Sequence, residues 1–344
     1  MKTVVTGGTG FIGSNLVQKL LDQGRDVVIA DDFSRGSLQN LLDLNIQPSD
    51  IGLKVSDSAI DLRDYAQARG IIQGAETVFH LAARIGSIDY LHGSDTNELE
   101  ALQSTLIIDA NVFRACLESN VRKVVYASSA AVYPVSIQYR SGVILPENLF
   151  DLSQKQAGIN GKDYSEINPD GGYGWSKIMG EIQLGWMSHI DVGIARFFNV
   201  YGKNQDLVRA VHAIPSLFLK AIRYPQEEFT VWGNGQQSRD FLYVADCMDA
   251  LLQLEKRASN PPIIANIGSG KTVSIGTIAE KVVELSGKDI KIIYDPAKPV
   301  GPLSRTADIT KARALLDWEP RVNLDEGLNR TYFWIQRRLG ESSV

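Results

Sequence analysis

Tyr173 and Lys177, in the run Tyr173-Gly174-Trp175-Ser176-Lys177, stand four residues apart. That spacing puts two side chains on one face of a helix. A lysine ammonium held beside a phenol favours the phenolate and draws the tyrosine pKa down from about 10 towards the working pH, so that Tyr173 can act as a general base. The spacing also arises by chance, and a surface tyrosine beside a solvated lysine is the plainer reading of it alone. Two further groups weigh against that reading. Ser129, in Ala127-Ser128-Ser129-Ala130-Ala131-Val132-Tyr133, follows the apolar run 123–127, and the carboxyl end of a parallel strand places a hydroxyl in a ligand crevice. An apolar run at 2–6 leads into Gly7, Gly10 and Gly13, spaced three apart and enclosing Phe11 and Ile12. A strand, a glycine turn and then a helix, expected over 14–23, let the backbone approach a pyrophosphate closely and leave helix N–H groups facing it. The run 26–30 reads as a second strand and ends in Asp31-Asp32. An acid there accepts hydrogen bonds from the adenosine ribose hydroxyls and repels a 2′-phosphate, which favours NAD over NADP.

The elements that must position these groups alternate. Runs 77–81 and 123–127 read as buried parallel strands, with a helix over 101–119 between them and a further strand at 192–197. This pattern is a doubly wound α/β fold. After residue 197 the elements shorten, Pro and Gly become more frequent, and Trp232-Gly233-Asn234-Gly235 reads as a turn. The expected division is a dinucleotide-binding domain over 1–190 and a smaller, interleaved α/β substrate lobe over 191–344, packed around one cleft.

Composition narrows the partners. The 344 residues carry 35 Lys and Arg against 40 Asp and Glu, a net charge of −5, so there is no electrostatic case for nucleic acid or an anionic membrane. No apolar run approaches the roughly 18 residues that would cross a bilayer, and no leader-like segment opens the sequence, which reads as cytoplasmic. Cys116 and Cys247 are far apart in apolar helical contexts, as expected of buried reduced thiols rather than a disulfide or metal ligands. No metal site is expected.

With these motifs in this order, the chain resembles the extended short-chain dehydrogenase/reductase superfamily, in particular its nucleotide-sugar epimerases, dehydratases and decarboxylases. The resemblance extends through Asp61-Leu62, His80-Leu81-Ala82-Ala83, Arg196-Phe197-Phe198-Asn199-Val200-Tyr201-Gly202, Arg239-Asp240-Phe241 and Asn266-Ile267-Gly268-Ser269-Gly270. It implies a Rossmann sheet binding NAD, with Asp61 and Leu62 flanking the adenine and Ala82 and Ala83 lining the cofactor. It also implies that Lys177 holds the nicotinamide ribose and that Asn199 and Arg239 grip the substrate diphosphate. Arg305, in Gly301-Pro302-Leu303-Ser304-Arg305, looks like a second phosphate-facing arginine. Two guanidinium forks suit a diphosphate because they match its oxygens bidentately.

The resemblance also separates reactions. Sugar 4,6-dehydratases carry an acidic pair just after the active hydroxyl, where this chain has Ala130 and Ala131. The GDP-mannose 3,5-epimerases are similar at Gly327–Ile335 and at Ala83-Arg84-Ile85-Gly86-Ser87, yet their acid/base cysteine falls at Ala131 and their lysine at His212. An alanine moves no proton. Decarboxylation of a UDP-uronic acid shares the initial oxidation at C4 and stays open. The expected activity is a nucleotide-sugar 4-epimerase; a non-catalytic dinucleotide sensor is the contrasting class, and Ser129, Tyr173 and Lys177 argue against it.

Two departures from relatives stand out. A polar insertion spans roughly 136–168, either a lid over the sugar or a surface excursion, and Thr105 replaces a frequent cofactor-side Asn. The helices over 101–119 and 173–187 carry apolar residues over a wide arc: Leu102, Leu106, Ile107, Val112 and Phe113, then Ile178, Ile182, Leu184, Trp186 and Met187. Such helices lie deep in a core or pack on a neighbour. Relatives pair them across a two-fold axis, so a homodimer is expected.

Overall fold

Six apolar runs pair side by side into one parallel sheet. The computed structural model describes residues 2–47, 59–85, 94–138, 140, 142–150, 167–209 and 212–341. Its main strands are β1 (Lys2–Thr6), β2 (Asp26–Ala30), β3 (Thr77–His80), β4 (Lys123–Ser129), β5 (Asp191–Phe197) and β6 (Ile263–Ile267). Their order across the sheet is β2-β1-β3-β4-β5-β6, with every pairing parallel. This is the doubly wound α/β architecture expected from the alternation. Parallel ladders are covered on both faces, so successive residues of one strand serve opposite cores. Val4 packs with Val78, Val124 and Phe113 on one face, whereas Val5 packs with Phe79, Val125 and Leu16 on the other.

The helices begin earlier than the apolar periodicity suggests. Helix α1 (Phe11–Asp22) starts three residues before the expected Ser14, because extended Gly10 occupies the N-cap without a side chain to close it. Helix α2 (Asp95–Glu118) starts six residues before the expected Ala101. There the Ser94 hydroxyl accepts from the Asn97 N–H at 3.2 Å, and Asp95 and Glu98 complement the positive end of the helix dipole. Helix α3 (Gly171–Gly185) places Tyr173 in its first turn.

Beyond β5 the elements are short. Asn199–Tyr201, Ser238–Tyr243 and Thr272–Ser274 form a three-stranded sheet, Thr230–Trp232 pairs with Ile293–Asp295, and Ile144–Leu145 pairs with Thr306–Ala307. The expected turn after Trp232 is present, with Gly233 and Gly235 at φ of +75° and +78°, backbone that glycine adopts without Cβ strain. The main sheet takes β5 and β6 from beyond residue 190. Most of the insertion at 136–168 lies outside the described residues, as do Gly86 and Ser87. Cys116 and Cys247 are buried free thiols. Among the described residues no helix is long and apolar enough to cross a membrane.

One ion pair ties α3 to the sheet. Glu181 on α3 accepts from Arg196 of β5 bidentately, from Nε at 3.0 Å and Nη2 at 2.7 Å, with both side chains wholly buried. The same carboxylate accepts from the Ser128 hydroxyl on β4. Removing one partner of such a pair leaves an uncompensated buried charge, and the penalty is about 3–5 kcal/mol. Glu181→Ala is therefore expected to lower unfolding free energy by about that much in a urea titration. A loss below about 1 kcal/mol would show that water or another group reaches Arg196.

Candidate active site

The residues singled out in the sequence line a single cleft of about 1380 Å³ at the carboxyl ends of β1 to β5. Gly7, Gly10, Phe11, Ile12 and Gly13 form one end, together with Asp31, Asp61, Leu62, Ala82 and Ala83; Ser129, Tyr173 and Lys177 lie in the wall, and Asn199, Arg239 and Arg305 form the far end.

At the glycine end the chain leaves no room for side chains. A Cβ on Gly13 would stand 2.0 Å from the Gly7 carbonyl oxygen, and Gly7 itself has φ of +68°. No side chain caps α1, so its opening N–H groups face the cleft. Asp31 ends β2 with one carboxylate oxygen accepting from Thr9 N–H at 2.9 Å and the other from Phe33 N–H at 2.9 Å. Each oxygen has a second lone pair for a ligand hydroxyl. Burial raises the Asp31 pKa above its ordinary value, against the pull of those two N–H groups. Asp61 is held by Arg63 at 2.8 Å. Thr105 is buried and its hydroxyl accepts from Arg84 N–H at 3.1 Å, which spends it on the turn after β3.

In the wall, the Ser129 hydroxyl is near enough to the Tyr173 phenol to lower its pKa, and it accepts from Ala131 N–H at 3.1 Å. Lys177 is 1 % exposed, and its Nζ stands 5.9 Å from the Tyr173 ring centroid and 4.7 Å from that of Tyr126. The sequence argument expects the lysine to draw the phenol down, and here the structure corrects it. Burial pushes the Tyr173 pKa up to about 12, with the Ser129 hydroxyl lowering it only in part and Asp109 adding to the rise. Burial lowers Lys177, opposed by Asp109 and Glu181. In the chain by itself, burial sets the direction of the Tyr173 shift.

The far end is cationic. Arg239 donates to the carbonyls of Ser238, Pro302 and Val300 at 2.8, 2.6 and 2.8 Å, which occupies three of its five N–H groups. Burial and then the nearby Arg305 charge push its guanidinium down to about 10. Arg305 donates to Asp170 at 2.7 Å and also to Gln138. Two guanidinium groups facing one carboxylate leave a net positive field suited to an anion. Ala130 and Ala131 follow Ser129 into the cleft, and His212 lines it as well.

The sequence reading missed the groups behind the wall. Asp109 is fully buried, bonded to His80 Nε2 at 2.9 Å and to the Tyr126 hydroxyl at 2.7 Å. A signal for it existed. Ala101, Thr105, Asp109, Val112 and Cys116 recur at helical spacing on the buried stripe of α2, and an acid in such a stripe must have buried partners. Asp170 and Gln138 gave no such signal, since they meet Arg305 only through long-range folding.

Known proteins resemble the chain along nearly its whole length. The chain is 27% identical over 342 residues to a GDP-mannose 3,5-epimerase of Oryza sativa subsp. japonica, covering 98% of this chain and 82% of the relative. It is 26% identical over 330 residues to a UDP-glucuronic acid decarboxylase of Arabidopsis thaliana, covering 96% and 68%. The crystal structure of UDP-glucose 4-epimerase from Thermotoga maritima, with UDP-glucose, superposes with a TM-score of 0.80 at 26% identity, covering 98% of this chain and all of that one. Residues 3–268 match the NAD dependent epimerase/dehydratase family, a span that runs from β1 through β6 and holds most of the cleft, and the chain belongs to that family.

Proposed function

We propose that this protein is a nucleotide-sugar 4-epimerase that works by transient oxidation at C4 of the sugar. The observation that carries the reading is the Ser129 hydroxyl acting on the Tyr173 phenol, with Lys177 one turn further along α3, beside Ala130 and Ala131, which have no proton to give. A phenol, a hydroxyl and a lysine suffice for removing and returning one hydroxyl proton. A 3,5-epimerisation needs a further acid/base pair, and His212 is at most half of one.

The cleft fits NAD. The Gly13 cradle admits a close-lying pyrophosphate, the start of α1 offers N–H groups, and the buried Gln205 Nε2, among the cleft-lining residues, has no hydrogen-bond partner among the described residues. Gly7, Gly10, Phe11, Ile12 and Gly13 would hold the pyrophosphate, Asp31 the adenosine ribose, Asp61 and Leu62 the adenine, and Ala82, Ala83 and Lys177 the nicotinamide half. The chemistry NAD supplies when bound is reversible acceptance of hydride from the sugar carbon, together with a positive ring charge. Tyr173 takes the 4-hydroxyl proton, directly or through Ser129, and later returns it. Lys177 adds positive charge that favours the phenolate. Asn199, Arg239 and Arg305 hold the diphosphate, so that the sugar turns about its linkage and presents its other face. Residues 1–190 carry the cofactor in this reading, and 191–344 mainly the substrate.

We also propose a homodimer through α2 and α3. Leu99 and Ile107 on α2, and Trp175, Met179 and Trp186 on or just after α3, are exposed, Trp186 by 66%. Apolar side chains gathered on two neighbouring helices are unusual on a surface that faces only water.

Incubating the purified protein with UDP-glucose, UDP-glucuronate, their N-acetylated analogues and GDP-mannose, with product analysis by NMR, tests the reaction. Inversion at C4 supports the reading; loss of the uronic carboxyl or inversion at C3 and C5 opposes it. Tyr173→Phe keeps the ring and removes the proton carrier, so kcat should fall by about 10²-fold or more with NAD affinity nearly unchanged. Because the phenol is held up to about 12 by burial, the reactive phenolate grows with pH, and wild-type kcat should rise across the neutral range; a flat profile would take proton removal away from Tyr173. Gly13→Ala drives its methyl into the Gly7 carbonyl and should weaken NAD binding by at least about tenfold in calorimetry. Sedimentation of the wild type should give a dimer, with roughly 1,200–2,000 Å² buried, and Trp186→Glu should give a monomer. A dimer that survives the charge would move the interface elsewhere.

A further inference from the structure

Behind the Tyr173 wall, four side chains form one buried chain of hydrogen bonds, and their proton inventory can be worked out. Thr6 Oγ1 accepts from Leu81 N–H at 3.0 Å and from Ala82 N–H at 3.1 Å. Both of its lone pairs are then used, so its own proton goes to His80 Nδ1 at 2.7 Å. His80 Nδ1 is therefore an acceptor, the ring is neutral, and Nε2 carries the proton that it donates to Asp109 Oδ1 at 2.9 Å. The Tyr126 hydroxyl donates to the other oxygen, Oδ2, at 2.7 Å. Asp109 receives two hydrogen bonds from neutral donors, as an ionised carboxylate does.

That negative charge needs a counter-charge within the fold. Glu181 also lies close to Lys177 but is paired through both oxygens with Arg196. Lys177 Nζ sits 4.7 Å from the centroid of the Tyr126 ring whose hydroxyl Asp109 binds. The packing protects this arrangement. A Cβ on Gly180 of α3 would stand 2.2 Å from the Tyr126 hydroxyl oxygen and 2.7 Å from Asp109 Oδ2, and Phe113 packs edge-on against both His80 and Tyr126.

We propose that Asp109 is a positioning residue for the reaction: through Tyr126 it supplies the buried counter-charge that keeps the Lys177 ammonium seated on the Tyr126 ring and facing Tyr173. The network is anchored through His80 and Thr6 in the turn at Leu81 and Ala82, which lines the cofactor end of the same cleft. The charged and titratable groups around Lys177 are Asp109 from α2, Tyr126 from β4 and Tyr173 and Glu181 from α3. Asp109 is the carboxylate among them with no cationic partner of its own among the described residues. This role rests on the reading of Tyr173 and Lys177 given above.

The test follows the lysine itself. Protein labelled with carbon-13 at lysine Cε, with Lys177 assigned by Lys177→Arg, is titrated by NMR with and without NAD. Wild-type Lys177 is expected to be an ammonium at neutral pH. Asp109→Asn keeps the shape and removes the charge, so the Lys177 midpoint should fall by at least about one pH unit. The high-pH limb of kcat should fall with it, while KM for the sugar changes less than about twofold. A purely structural role would lower thermal stability and leave the midpoint in place, and that result would overturn the proposal. If Asp109→Asn does not fold, the wild-type titration decides, because a neutral Lys177 amine at pH 7 contradicts the assigned counter-charge. The readout needs no substrate. A shifted lysine in a protein that turns over no nucleotide sugar would keep this role and remove the epimerase reading, whereas 4-epimerisation with an unshifted lysine would do the reverse.

Discussion

A lysine ammonium withdrawn from water is the constraint on which the catalytic wall depends. Taking such a group out of water strongly disfavours its charged form, and Lys177 is almost wholly buried. The surroundings answer with an aromatic face from Tyr126 and with carboxylates at Asp109 and Glu181. Those carboxylates in turn need donors, and they find them in His80, Tyr126, Ser128 and Arg196. One charge at the cleft surface thus fixes polar residues on β3, β4, β5, α2 and α3. Gly180 follows from the same need, since any side chain there would push α3 off the network.

The two ends of the cleft solve different electrostatic problems. At the glycine end, backbone N–H groups and a helix terminus are suited to an anion with no cation required, and in the proposed reading Asp31 turns away further negative charge. At the other end, Arg239 is tied to the carbonyls of Val300 and Pro302 and to that of its neighbour Ser238, and Arg305 to Asp170. These ties pre-orient the guanidinium groups, which in the proposed reading gives a substrate diphosphate donors already in place. In the proposed 4-epimerase reading the sugar is held at its diphosphate yet free to turn, and anchoring at one end only leaves that freedom.

Local rules made much of this legible. The strands are short apolar runs, buried on both faces, and such runs announce themselves; β2 begins and ends where expected, and β3 and β4 differ only at their carboxyl ends. The helix starts lie earlier than the apolar periodicity shows because the caps fall outside that pattern, Gly10 before α1 and Ser94 before α2. Tyr173, Lys177 and Ser129 were visible as types and spacing, but their electrostatic balance was not. Desolvation is a property of the assembled wall, and it reversed the expected direction at Tyr173. Asp109 and Asp170 act through partners more than a dozen residues away in sequence, which no local pattern contains.

The central claim is oxidation and re-reduction at C4 within one site. Its most direct test uses a nucleotide sugar bearing deuterium at C4, incubated with the NAD-loaded protein in ordinary water and followed by NMR. The account predicts a product inverted at C4 that keeps its deuterium, because the hydride leaves and returns without meeting solvent. Inversion at another carbon, or loss of the label to water, would contradict it.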